Sequence, residues 1–204
     1  MKQEVWEMRM LLPAIVLAAL SAPTVAADET LIRGPVESGG FGAPVVKFSA
    51  IGDDFALFVG GRGGWIINHA FTVGGGGYGL VNEIESDYYI DTYGDDEVIM
   101  HMGYGGLILE YVHLSHKLIH PTVATLIGGG GFGYHDRIWR YEWERSDAFF
   151  VIEPELSVVL NVSRHFRVGL GASYRWVAGV DIEGIEDSDL SRFCGNLTLK
   201  FGTF

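Results

Sequence analysis

The sequence predicts an all-β protein, an eight-stranded antiparallel up-and-down transmembrane β-barrel. Three observations predict it. The first is alternation: in "HFRVGLGASYRW", Phe166, Val168, Leu170, Ala172, Tyr174 and Trp176 interleave with His165, Arg167, Gly169, Gly171, Ser173 and Arg175, the period-two pattern of a strand. The second is a greasy average without a greasy run. Mean hydropathy is +0.21 and charged residues are 20%, yet the part after residue 27 has no stretch near the ~18 apolar residues of a membrane helix. The third is the spacing of the strands, whose links alternate between short and long.

The chain begins with the features of a secretory signal peptide. "MLLPAIVLAAL" (Met10 to Leu20) is an apolar stretch too short to span a bilayer, and "SAPTVAA" places small residues before Asp28. Glu4 and Glu7 offset Lys2 and Arg9, whereas a start at Met8 gives a cleaner basic segment. The expected organisation is a signal peptide over 1–27, a polar lead-in over 28–43 and a barrel domain over 44–204. Cys194 is the one cysteine, so no internal disulfide staples the domain, and stability must come from packing and closed strand pairing.

Strands are expected near 44–51, 55–67, 70–82, 97–111, 121–135, 148–162, 165–178 and 191–204, most of them meeting the ~9–11 residues a tilted membrane strand needs. The links after the second, fourth and sixth are "NHA", "HLSHKLIH" and "SRH"; those after the third, fifth and seventh are "EIESDYYIDTYGDDE", "DRIWRYEWERSD" and "DIEGIEDSDL". Short turns at one end and long loops at the other are the asymmetry of membrane barrels, with the long loops outside. One face of the strands is apolar. The other carries glycine, serine and a few charges of both signs: Lys47, Arg62, Glu153, Glu155, Arg167, Arg175 and Lys200. Sparse opposite charges among small residues suit the packed inside of a narrow barrel, where only matched charges are tolerable. With the sixth and seventh strands joined by "SRH", Glu153 falls opposite Ser173 or Arg175. Tyr174 and Trp176 are expected in an interfacial aromatic belt. Two features resist the pattern: "VIMHMGYGGLILEYV" is apolar in both phases, which calls for a bulge, and Pro154 interrupts a strand that has no free edge, which calls for a bulge or a lost ladder bond.

With the signal peptide, the eight alternating segments and the last strand "LTLKFGTF" ending on Phe204, the chain resembles the eight-stranded outer-membrane β-barrel proteins of Gram-negative bacteria. The resemblance implies outer-membrane location, contact with outer-membrane lipid and lipopolysaccharide, and recognition of the terminal aromatic by the barrel-assembly machinery. Such barrels include adhesins, small-molecule conduits, envelope-anchoring proteins and a few lipid-modifying enzymes.

Several motifs invite a chemical reading. "GGGGYG" and "GGGGFG" both fit G-x-G-x-x-G, but no helix follows either to receive a phosphate; the glycines read as curvature and room for large neighbours. His69, His113, His116, His120 and His165 gather at the short-turn end; with no scaffold evident to fix ligand geometry they read as polar turn residues rather than a metal site. His113 and Ser115 place a base two residues from a hydroxyl, but in an inner turn, with Glu110 as nearest acid in the opposite phase. The acidic links (Glu83, Glu85, Asp87, Asp91, Asp95, Asp96, Glu97; Asp181, Glu183, Glu186, Asp187, Asp189) lack the spacing of a calcium loop and read as solvated charge. "DRIWRYEWER" alternates Trp139, Tyr141 and Trp143 with charges; aromatics on an exposed ribbon can take an extracellular sugar or protein ligand.

The expected function is that of a non-enzymatic envelope or surface protein acting through its outer loops by binding or adhesion, without cofactor or metal. The alternatives are a narrow conduit lined by the interior charges and a lipid-modifying enzyme using His113 and Ser115. A net charge of −12 disfavours nucleic acid as a partner.

Overall fold

The computed structural model describes residues 36–85, 98–136, 145–182 and 184–204. The expected signal peptide, the first half of the lead-in (28–35), and Trp139, Tyr141 and Trp143 lie outside the described residues. Eight strands form one closed antiparallel barrel in sequence order: β1 (Ser38–Ile51), β2 (Asp54–Ile67), β3 (Phe71–Leu80), β4 (Val98–Val112), β5 (Ile119–Asp136), β6 (Arg145–Asn161), β7 (Phe166–Ala178) and β8 (Arg192–Thr203), with a short helix α1 (Asp187–Leu190) before β8. β1 begins earlier than the sequence pattern indicates, because Ser38–Ala43 pairs with Arg62–Ile67 across the first hairpin. The barrel closes where β1 meets β8, from Gly40↔Thr203 to Phe48↔Gly195.

The short-turn end holds three tight connections. Asn68 and His69, at φ 50 and 56, turn β2 into β3, and Leu114, at φ 54, helps turn β4 into β5. The third joins β6 to β7, where Val162 and Ser163 both donate to the Phe166 carbonyl at 3.1 and 2.9 Å. At the long-link end the β1–β2 turn is the one short connection, and it turns on Gly52 at φ 54.

Outward side chains are apolar and exposed. Leu170 is 64% and Phe193 76% exposed, with Phe48, Val59, Leu107, Val123, Leu156 and Val158 around them. Aromatics ring both ends of this band: Trp65, Phe71, Tyr111 and Phe201 at the short-turn end, and Phe55, Phe150, Tyr174, Trp176 and Phe193 at the other. Tyr174 and Trp176 thus stand in an aromatic girdle, and Tyr174 meets Phe193 edge-on at 4.9 Å. The ten-residue step from Phe166 to Trp176, at ~3.3 Å per residue and a ~40° tilt, spans about 25 Å, the height of the apolar band of membrane barrels. Such a surface is matched to hydrocarbon.

No bulge resets β4. Its register against β3 is unbroken from Phe71↔Tyr111 to Gly79↔Gly103, and against β5 from Val98↔Asp136 to Val112↔Thr122. The strand is apolar in both phases because the long-link half of the barrel interior is itself apolar. Met100, Met102, Tyr104 and Ile108 point inward and are buried against Phe58, Phe132 and Val151, and Ile185 and Leu190 from the β7–β8 link close over them.

The prolines are accommodated by gaps. Between β6 and β7 the ladder runs to Ile152↔Trp176 and resumes at Glu155↔Ser173 in the same register, skipping Pro154. Between β1 and β8 it skips Pro44 in the same way, from Gly42↔Phe201 to Val45↔Thr198. Each proline keeps its pairing on the other side, with Thr125 and Gly61. A missing N–H therefore removes local ladder bonds without shifting the strand.

Between β4 and β5 the backbones turn so tightly that inward side chains cannot fit at the crossing. A Cβ on Gly106 would overlap the Ile127 carbonyl, and one on Gly128 the Gly105 carbonyl. Replacing Gly106 by Val should cost at least about 1–3 kcal/mol through forced backbone displacement. Gly75→Ala, whose Cβ would lie 3.5 Å from the nearest atom, should be neutral within about 0.5 kcal/mol. Mobility of unboiled against boiled protein on a detergent gel reports the folded fraction of each. A folded-state shift in the wild type and Gly75→Ala that weakens in Gly106→Val is the expected pattern.

Candidate functional site: the barrel interior and the long-link extension

The interior at mid-height is a connected polar network. Strand parity sends Lys47, Arg62, Glu110, Glu153, Glu155, Arg175 and Lys200 inward, and each is at most 6% exposed. Lys47 Nζ donates to Glu153 Oε1 at 2.6 Å and to the Tyr104 hydroxyl at 3.3 Å, and lies 3.6 Å from the Tyr78 ring centroid. Tyr104 and Ser173 donate in turn to Glu153 at 2.8 and 2.5 Å. Ser173 also accepts from Asn196 Nδ2 at 2.9 Å, and Asn196 reaches Glu155 at 3.1 Å.

Glu155 holds Arg62 in a two-pronged pair at 3.0 and 3.0 Å and accepts from Ser157 at 2.6 Å. Parallel N–H bonds from a guanidinium to a carboxylate fix orientation as well as charge. Arg62 has room because Gly76 faces it; a Cβ there would sit 3.0 Å from the Arg62 Cβ. Lys200 Nζ donates to both oxygens of Glu110 at 2.6 and 2.6 Å. Seven strands thus contribute side chains to this network, β3 through the Tyr78 ring.

Arg175 leaves this network. Although it faces Glu153 across the Pro154 gap, its guanidinium donates to the carbonyls of Leu190 and Ala50 at 2.8 and 3.1 Å and lies 4.6 Å from the Phe58 ring centroid. Glu153 already has Lys47, Tyr104 and Ser173. Arg175, fully buried, instead fastens the end of α1 over the apolar layer. Arg167 sits at the opposite mouth, half-buried, 4.0 Å from the Phe204 ring centroid.

Glu110, the acid nearest His113 and Ser115 in the sequence, keeps the opposite phase expected of it. It faces the lumen and is bound to Lys200, so it is not an acid for His113 and Ser115. His113 Nδ1 lies 3.4 Å from the Tyr111 hydroxyl, and the Ser115 carbonyl accepts from Asn161 at 3.0 Å; neither bond joins base to hydroxyl. The histidines are dispersed: His69 pairs with Glu37 at 2.5 Å, and His120 turns inward with its Nδ1 3.1 Å from the Lys117 carbonyl. Among the described residues no three His, Cys, Asp or Glu side chains gather as a metal site. Ser173, expected opposite Glu153 from the SRH turn, does bond to it, whereas Tyr78, Tyr104 and Asn196 belong to the network and carried no sequence signal beyond their parity.

The other feature is at the long-link end. The β3–β4 ladder stops at Gly79↔Gly103, while β4 and β5 pair on to Val98↔Asp136. The β6–β7 ladder begins at Phe150↔Ala178, while β5 and β6 pair on to Tyr134↔Arg145. Apart from a bridge between Glu85 and Ile99, the ends of β4, β5 and β6 therefore form a three-stranded extension standing past β3 and β7. The segments that leave its tips are 86–97 and 137–144.

Removing one member of a buried pair leaves the other charge uncompensated. Glu153→Leu should therefore cost about 3–5 kcal/mol, and Lys47→Met with Glu153→Leu should recover most of it. Urea midpoints of the folded barrel in detergent measure both, and a double variant no better than the single one contradicts the pairing.

No family model and no curated protein matches the sequence. Solved structures do match. Neisserial surface protein A (NspA) superposes with a TM-score of 0.57 at 9% identity, covering 82% of this chain and 99% of that one. Ail, the attachment invasion locus protein of Yersinia pestis, superposes with a TM-score of 0.49 at 10% identity over 81% of this chain and 96% of its own. Ail in complex with the heparin analogue sucrose octasulfate gives 0.47 at 10% identity, with the same coverage. The chain is an eight-stranded antiparallel closed β-barrel resembling known outer-membrane proteins of Gram-negative bacteria.

Proposed function

We propose that this protein is an integral outer-membrane barrel that acts as a non-enzymatic surface binding or adhesion protein through the extension of β4, β5 and β6. The apolar outer band with its two aromatic girdles supports membrane insertion. The long-link end then faces the outside and the short-turn end the periplasm, where an exported chain also leaves its termini. Trp139, Tyr141 and Trp143 carry the contact, presenting flat rings to a sugar or protein ligand.

The observation that carries this reading is the filled lumen. An eight-stranded barrel has room for side chains or one small ligand, and here ion pairs fill the middle and an apolar layer covers them. The working surface is consequently the extension rather than a pore. Lipopolysaccharide surrounds the outer half of the band, and the assembly machinery handles the last strand. Phe204, however, shares the inward phase of Lys200 and lies against Arg167, so recognition of that strand rests on its outward residues Leu197, Leu199 and Phe201.

Replacing Trp139, Tyr141 and Trp143 together by Ser should abolish attachment of protein-bearing cells to glycan- or matrix-coated surfaces. The heat-dependent gel shift of the variant should be unchanged. Attachment equal to wild type overturns the loop assignment. Planar-bilayer recordings of purified protein should show no steady open level; a stable unitary conductance contradicts the filled lumen.

A further inference from the structure

At the short-turn mouth the turns of β4–β5 and β6–β7 and the end of β8 enclose a depression of about 490 Å³ lined by His116, Asn161, Arg164, His165, Arg167 and Phe204, among others. We propose that it is a binding site for a phosphate-bearing anion, with Arg164 and Arg167 as its ligands.

The argument begins with charge. The chain carries a net charge of −12, yet this end is locally cationic. The described acidic side chains here are already taken, Glu110 by Lys200 at 2.6 Å and Glu37 by His69 at 2.5 Å, and the terminal carboxylate of Phe204, which also lines the depression, makes no ion pair with Arg164 or Arg167. The ion pairs among the described residues involve Lys47, Arg62, His69, Arg192 and Lys200, and neither Arg164 nor Arg167 takes part. Two guanidinium groups without a carboxylate partner thus line one cavity.

The polar atoms at the site are also unspent. Arg167 Nε and Asn161 Oδ1 are buried without a hydrogen-bond partner, and deeper in the same end so are His120 Nε2 and Thr72 Oγ1. Buried polar groups in folded proteins are nearly always paired, so a cluster of orphans points to a group that supplies the missing partners. Arg167 is held in place by the Phe204 ring at 4.0 Å, which leaves its N–H edge free. A fixed guanidinium edge recognises tetrahedral and carboxylate oxyanions through paired N–H bonds. Phosphate is favoured by position. Leu118 and Val162, exposed by 66% and 53%, extend the apolar band to the rim of this mouth, where lipid phosphates meet hydrocarbon.

The test uses the full-length protein in maltoside detergent and follows inorganic phosphate by ³¹P line broadening. A second arm takes protein from vesicles of phosphatidylcholine containing phosphatidylglycerol and counts retained phosphatidylglycerol by native mass spectrometry. Saturable phosphate binding that falls about tenfold or more in Arg164→Gln and in Arg167→Gln is expected. Parallel loss of retained phosphatidylglycerol identifies the lipid headgroup as the source, and unchanged retention identifies a soluble phosphate compound. Arg164 is exposed, so Arg164→Gln leaves the fold intact and decides the matter if Arg167→Gln fails to show the gel shift. Absence of saturable broadening, or affinity within about twofold of wild type in Arg164→Gln, overturns the site. Neither result bears on surface attachment at the other end.

Discussion

The structure depends on one constraint: a sheet placed in hydrocarbon must pair its backbone with itself, and only closure of the first strand on the last leaves no edge. β1 and β8 meet that constraint, and much else follows from it. Strand parity is then fixed for every residue, because a slip of one position would turn each charged side chain toward lipid. Two of the prolines within the ladders show how strictly register is kept. At Pro44 and Pro154 the strands give up local bonds rather than admit an extra residue. Both prolines point outward, where the ring joins the apolar band.

Closure also makes the lumen small, and smallness determines its chemistry. Glycines where β4 crosses β5 let the backbones approach, and the space left on the other side takes Tyr104, Arg62 and Lys47. Desolvation of so many charges is expensive, and each must find a partner with good geometry. Glu153 and Glu155 therefore act as hubs, each collecting a cation and at least two neutral donors. Arg175 is the exception among the buried cations Lys47, Arg62, Arg175 and Lys200, since its bonds go to backbone carbonyls. Its reward is mechanical: it anchors α1, whose Leu190 seals the apolar layer above the network.

The network and the apolar layer join strands across the barrel and make it a rigid post. The described ends of β4, β5 and β6 pair with one another past the last rungs they share with β3 and β7. NspA shares the fold at 9% identity, which is what physics predicts for this architecture. Alternation and closure can be satisfied by many sequences.

Alternation along β1, β2, β6, β7 and β8, together with the rhythm of short and long links, determined the strand count, the closed topology and the lipid-facing side from the sequence alone. Those features are local or periodic, and a period of two is readable without knowing any partner. Tertiary structure decided the rest. The pairing of Lys47 with Glu153, Arg62 with Glu155 and Lys200 with Glu110 joins residues 106, 93 and 90 positions apart, and no spacing in the chain encodes which cation meets which acid. The apolar half-lumen, which made β4 look out of phase, becomes legible only once Phe58, Phe132 and Leu190 are seen to converge on it. The paired His113 and Ser115 and the clustered histidines looked chemical because sequence proximity was the one distance available. In the barrel, direction of the side chain outweighs that proximity, and the unsatisfied arginines at the short-turn mouth emerge instead.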